Sequence, residues 1–298
     1  MNISKLAYDP RAIKALTGLS YQEFTDLLPV FERALKNLQM KKPNRQRNPG
    51  GGQKGHLPTT EAKLFFILFY FKTYPTFDIL AFLSGKSRGR TCMAVHFYAQ
   101  VLNRSMEMKH TLPKRRIGDI DEFLRLFPAV KDVFIDGTER RIQRPKKPKN
   151  QRKQYSGKKK ATTRKNIVMT DDHKRILYLS PTKAGRRHDK RLVDKASLIE
   201  HIPRSVGIWV DTGFQGIQKQ HPNVCIPTKG TKKHPLTPAQ KQENRLISSI
   251  RVRVEHAIGG MKRFRAVSDT LRNRLGKLDD LFMQLAAGLW NYHLSYGT

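Results

Sequence analysis

The chain of 298 residues predicts an all-α region followed by an α/β domain built on a mixed sheet. Three observations support this. Apolar residues recur at spacings of three and four through the first third, which is the helical period. From residue 131 the texture changes to short β-branched and apolar runs bounded by Asp, Gly and Pro, which read as strands. And 58 Lys and Arg stand against 24 Asp and Glu, a formal charge of +34. A compact fold tolerates such self-repulsion best when a polyanion neutralises it, and nucleic acid is the first to consider. An anionic membrane surface competes, but the most apolar stretch, LFFILFYF at 64–71, is far too short to span a bilayer.

Residues 1–40 carry Leu16, Leu19, Phe24, Leu27, Leu28, Phe31 and Leu35 at helical spacing, as short amphipathic helices would. Residues 41–58, KKPNRQRNPGGGQKGHLP, have almost nothing to bury and read as a linker or as positive charge laid along DNA. Thr60 is a fitting N-cap for EAKLFFILFYFKTY, a helix apolar on nearly all sides and therefore buried. PTFDILAFLSG, opened by Pro75 and closed by Gly85, gives a second helix, and SRGRTCMAVHFYAQVL, with Ser87 near its start, a third. Helix, short Gly turn, then a helix with Arg88 and Arg90 in its first turn is the pattern of a helix-turn-helix over 59–112. A plain three-helix bundle with surface arginines fits the same pattern.

Beyond residue 131, VFIDGTERRIQ, KNIVMTDD, RILYLSP, GIWVDTG and VCIPTKG read as five strands. HDKRLVDKASLIEHI is helix-like and lies between the third and the fourth. Helix returns from about Gln240 to Phe264 and again over LDDLFMQLAAGLWNYHL. Strands interleaved with helices place 131–298 in one α/β domain. No internal repeat is found. The N-terminus lacks a basic segment followed by an apolar one, so the protein is expected to stay inside the cell. Cys92 and Cys225 sit in unrelated segments that suggest neither a zinc site nor a disulfide framework, and read as buried thiols.

Two of the apolar runs end on a charge: Val133, Phe134 and Ile135 lead to Asp136, and Ile208, Trp209 and Val210 to Asp211. Two such strands could present both carboxylates on one side of a sheet, where they would repel each other and invite a divalent cation. Alternatively, an Asp before Gly simply bonds its own backbone in a turn. A third acid could come from a helix packed across the strands, and Glu255 is the candidate. At about 100° per residue, Arg251, Glu255 and Lys262 fall within about 40° of one another on that helix. An exposed face on which Arg251 pairs with Glu255 would use the same spacing.

DGTERRIQRP, YSGKKKATTRKN, GRRHDKR, VDTGFQG and RVRVEHAIGGMKRF, in that order, resemble the motifs of bacterial transposases of the insertion-sequence-5 family, a branch of the Asp-Asp-Glu transposases. Residues 57–89 are similar to the helix-turn-helix segment of that group. The resemblance implies a ribonuclease H-like catalytic domain in which Asp136, Asp211 and Glu255 hold two Mg²⁺ or Mn²⁺ ions. It implies double-stranded DNA as partner, both terminal inverted repeats and target, with a dimer or higher oligomer on DNA and a place in the bacterial cytoplasm at the nucleoid. Water would attack first, and the freed 3′-hydroxyl would then attack target DNA. Arg251 and Lys262 match the family's signature around the helical Glu, but Ser248 stands where that signature has Tyr.

Residues 139–165 hold thirteen Lys or Arg and one acid, Glu139. Set between two strands, this reads as a basic loop over the DNA backbone, with Lys158, Lys159 and Lys160 in contact with phosphates. Glu139 could supplement the acidic site or pair with Arg140 or another neighbour. His188, next to Asp189, has no second His or Cys at ligand spacing and reads as structural or substrate-positioning. A catalytically silent DNA-binding derivative of a transposase and a stand-alone ribonuclease H-type nuclease are the alternatives.

Overall fold

The computed structural model describes residues 9–40, 55–232, 234–273 and 278–297. Most of the 41–58 linker, at 41–54, and residues 1–8 lie outside them. In chain order the helices are α1 (Pro10–Thr17), α2 (Tyr21–Met40), α3 (Thr60–Thr73), α4 (Phe77–Ser84), α5 (Arg88–Met108), α6 (Ile120–Leu126), α7 (Pro148–Gln154), α8 (Asp189–Lys195), α9 (Pro238–Lys262), α10 (Arg265–Ser268) and α11 (Leu278–Leu294). The strands are β1 (Asp132–Arg141), β2 (Tyr155–Ser156), β3 (Ala161–Thr170), β4 (Ile176–Leu179), β5 (Lys183–Ala184), β6 (Gly207–Val210) and β7 (Val224–Cys225). They divide into two units. The first comprises the described residues before Pro113, with Met261–Asp269 and those from Asn273 on; the second comprises Pro113–Gly260 with Thr270–Arg272.

The first unit is helical. The apolar α3 is its centre, with Leu64, Phe66, Ile67, Leu68 and Phe71 buried, and Phe71 meets Phe282 of α11 edge to face at 4.8 Å. Its N-cap is Thr59, one residue before the expected Thr60; the Thr59 hydroxyl accepts from Ala62 N at 3.1 Å. Residues 1–40 give one short helix and one of 20 residues that runs through Pro29, because Phe24, Leu27, Phe31 and Leu35 keep one buried face on both sides of the proline. α2 opens with a capping box: Glu23 Oε2 accepts from Ser20 N at 2.6 Å, and Ser20 Oγ accepts from Glu23 N at 3.2 Å. The same buried Glu23 also bonds His293 of α11. α4 ends at Gly85 (φ 66°), and Ser87 caps α5 three residues before Arg90. The helix over 278–294, read above with the α/β part, belongs to this helical unit.

The second unit carries the mixed sheet, in the order β4-β3-β1-β6-β7, with β2 and β5 also on β3. β1 is antiparallel to β3 and parallel to β6, and β6 is parallel to β7. Side chains alternate between faces along a strand. Val133, Ile135, Ile208 and Val210 point to one face, into a core shared with Leu192 and Val193 of α8 and Phe123 of α6. Phe134 and Trp209 take the other face, their rings stacked at 6.1 Å, and Arg253 of α9 lies 5.5 Å over Phe134. α8 and α9 therefore flank the sheet on opposite faces.

Among the described residues, no helix is long and apolar enough to cross a membrane. Cys92 and Cys225 are free thiols, half-buried where burial was expected.

Candidate active site

The parallel register of β1 and β6 pairs Asp132 with Gly207 through Ile135 with Val210. Asp136 and Asp211 are the next residue on each chain. Alternation carries both to the face of Phe134 and Trp209, so the two carboxylates are neighbours. The apolar runs before them supply buried strand residues that fix both charges: Asp136 in mid-β1, paired with Val168 of β3, and Asp211 just past the end of β6.

Asp136 is largely withdrawn from water, and this burial pushes its carboxyl above the usual carboxylate range. The negative charge of Asp211 adds to the rise; the Gly137 N–H at 2.7 Å, the Arg251 guanidinium and the Lys158 ammonium oppose it. Lys158 Nζ stands 3.7 Å from Asp211 Oδ2. Asp211 also accepts from Gly213 N and caps the short 3₁₀ turn Thr212–Phe214, so it makes the turn bond expected of Asp before Gly as well as facing Asp136.

Behind these turns, on the α8 side of the sheet, lies a buried ionic cluster. Lys165 Nζ on β3 is 3.1 Å from Glu139 Oε1 on β1 and 2.8 Å from Asp189 Oδ1 at the start of α8, and it donates to Arg187 O at 3.0 Å. Its side chain is 7% exposed, that of Glu139 5% and that of Asp189 14%. Ser156 and Thr163 hydroxyls donate to Glu139 at 3.1 and 2.6 Å. The Asp189 carboxylate fills the space beside both glycines that follow the aspartates. A Cβ on Gly137 would lie 2.8 Å from Asp189 Oδ1, and one on Gly213 would lie 4.0 Å from Oδ2. Glu139 thus pairs with Lys165. His188 is the exposed N-cap residue of α8 and makes no side-chain capping bond.

Of the expected residues, the structure brings Asp136, Asp211, Lys158 and Arg251 into one electrostatic group. Lys159 and Lys160 are exposed in the same turn, with Lys160 at φ 46°. Glu255 is exposed on α9, one turn past the buried Arg251, and Ser248 is exposed on the same helix. Among the described residues no group of three His, Cys, Asp or Glu assembles at metal-ligand distance. The two aspartates fit a hard divalent cation: both offer oxygen donors, and their mutual repulsion raises Asp136, which a cation would relieve. Arg88 is exposed, its Nε 3.4 Å from Asp78 Oδ1; Arg90 is exposed, and Lys262 falls in the helical unit.

Sequence reasoning missed the buried lysine and its second acid. Glu139 faces Lys165 directly in the β1–β3 register. The connection between the strands is long and charged, so no turn signature fixed that register from the sequence.

Residues 135–291 match the family described as DDE superfamily endonuclease. The chain is also similar to a probable transposase for insertion sequence element IS702 from Microchaete diplosiphon, 29% identical over 286 residues that cover 96% of this chain and 95% of that protein. No solved structure matches it.

Proposed function

From the premise that this chain belongs to the DDE superfamily endonucleases, we propose that it is a DNA transposase that binds the terminal inverted repeats of an insertion sequence and performs metal-dependent strand cleavage and strand transfer. One observation carries the reading: two aspartates follow the paired stretch of adjacent parallel strands on one face, and burial, with the charge of Asp211, pushes the Asp136 carboxyl above the usual carboxylate range. The fold is ribonuclease H-like and the branch that of insertion-sequence-5, on the motif order given above.

Asp136 and Asp211, with Glu255 of α9, would hold two Mg²⁺ or Mn²⁺ ions. Bound there, the ions supply the Lewis acidity that activates the attacking oxygen and stabilises the leaving one. The side chains do the rest. Arg251 and Lys158, already drawn toward the acids, meet the non-bridging oxygens of the scissile phosphate, and Lys159 and Lys160 hold adjacent phosphates. Water attacks phosphorus and the bond to the 3′-oxygen breaks, leaving a 3′-hydroxyl and a 5′-phosphate. The 3′-hydroxyl then attacks a target phosphodiester, and as the new P–O bond forms the target's bond to its own 3′-oxygen breaks, leaving a 3′-hydroxyl on the target strand. Arg88 and Arg90 on α5 read the repeat in helix-turn-helix fashion, Lys262 contacts phosphate, and two copies on DNA bring the ends together.

The test is cleavage of a labelled duplex carrying the DNA that flanks this gene, with and without Mn²⁺, wild type beside Asp136→Ala. Metal-dependent cuts at the repeat boundary that vanish in the variant are expected, with DNA binding retained. Cutting by Asp136→Ala would overturn the site assignment. The exposure of Glu255 favours a second reading, a DNA-binding protein without catalysis, which binding without cutting by the wild type would establish.

A further inference from the structure

Two open grooves flank α8 in the second unit. The first, 910 Å³, is lined by Lys149, Arg152 and Lys153 of α7 and by Arg186 and Arg191. The second, 800 Å³, is lined by Arg115, Arg116 and Lys183 beside Leu192 and Ser197. Arg187 and Lys195 line both, so the two make one continuous tract. No acid lines either groove. None of Arg88, Arg90, Lys158, Lys159, Lys160, Arg251 or Lys262 lines them either.

So many like charges converging in a lining that holds no carboxylate repel one another, and a polyanion is the complement. The tract also lies on the sheet face opposite the aspartates. Leu192 and Val193 of α8 pack with Ile135 and Val210, whereas Asp136 and Asp211 share the face of Phe134 and Trp209. A strand bound at the aspartates therefore leaves this surface uncovered. The linings hold one Phe, Tyr or Trp, Tyr178, and it is 2% exposed. Single strands are gripped by stacking bases on exposed rings, whereas a duplex backbone needs only cations.

We propose that α7, α8 and the turn before α8 form a second duplex-DNA track, which grips phosphates on the face of the sheet away from the aspartate pair. The inference rests on the reading of the chain as a transposase and deepens it: the cleaved end and the target phosphate must both meet at the aspartates, and this track grips duplex outside that reaction site.

The experiment measures binding of the full-length protein to a fluorescent duplex, without metal, over a range of salt concentrations. The groove variant carries Arg152→Gln, Arg191→Gln and Lys195→Gln; the control carries Arg204→Gln, Lys219→Gln and Lys241→Gln. All six positions are exposed, and the change in charge is the same. At about 0.9 per phosphate contact, the groove variant should lower the salt slope by about 2 to 3 and the control by less than about 1. Equal losses in both variants, or none in the groove variant, would overturn the track. A larger loss on single-stranded than on duplex DNA would overturn its assignment to duplex. Because no cleavage is read, failure of the transposase reading in the cutting assay leaves this result standing, and the reverse holds as well.

Discussion

Replacing Lys165 by Met keeps the volume of the side chain and removes the ammonium that bridges Glu139 and Asp189. Both acids are buried, at 5% and 14% exposure, and the ammonium lies within 3.1 Å of each. Removing one partner of a buried ionic group costs about 3–5 kcal/mol, because the charge left behind has neither water nor a counter-ion. The assay is urea unfolding followed by the fluorescence of Trp209 on β6, in a Trp290→Phe background that silences the ring on α11. Adding Glu139→Gln removes one of the two stranded charges, so the double variant should regain part of the loss. Burial alone would lower the pKa of Lys165, but Asp189 and Glu139 raise it above its ordinary value. Its contribution is therefore complete below about 10.5 and is lost as pH climbs through the raised folded value. A loss under about 1 kcal/mol, or a double variant no better than the single, would refute this account.

Gly18 has φ 78° as the C-cap of α1, and a Cβ there would lie 2.7 Å from the buried ring of Phe264. Gly18→Ala should cost about 1–2 kcal/mol for the left-handed backbone, with more for moving the ring, and thermal unfolding would show it. Burial lowers the pKa of His96 on α5, whose Nε2 lies 3.1 Å from Asn273 Nδ2. The unfolded chain then binds the proton more readily, so stability falls as pH drops from about 6.5 to the lowered folded value. His96→Gln should flatten that part of a pH series of urea midpoints; an unchanged slope would show that another group is responsible.

Helix ends were the most legible part of the fold, because their signals are local. Gly85 and Ser87 bound the α4–α5 turn, and α11 spans the stretch read from its period. The helix expected over 188–202 stops at Lys195, and Ser197 follows with φ 46°, a conformation that Ser does not advertise. β2 and β5, two residues each, exist only because β3 is long enough to pair with them, and no period is detectable in two residues. At the candidate site the aspartates announced themselves as charges ending apolar runs. Lys165 did not, since it is one of thirteen cations in 139–165 and only the register of β1 with β3 separates it from the exposed ones.

The two aspartates come from strands that are neighbours in space and far apart along the chain, and this sets an order of events during synthesis. β1, β3 and the cationic loop between them leave the ribosome first. Several seconds more, at about 5–20 residues per second, are needed before β6 is complete. Until β6 docks beside β1, Asp136 has no second carboxylate next to it. The nascent chain thus carries its cationic loop before it has an acidic pair, and that pair is assembled only by tertiary folding.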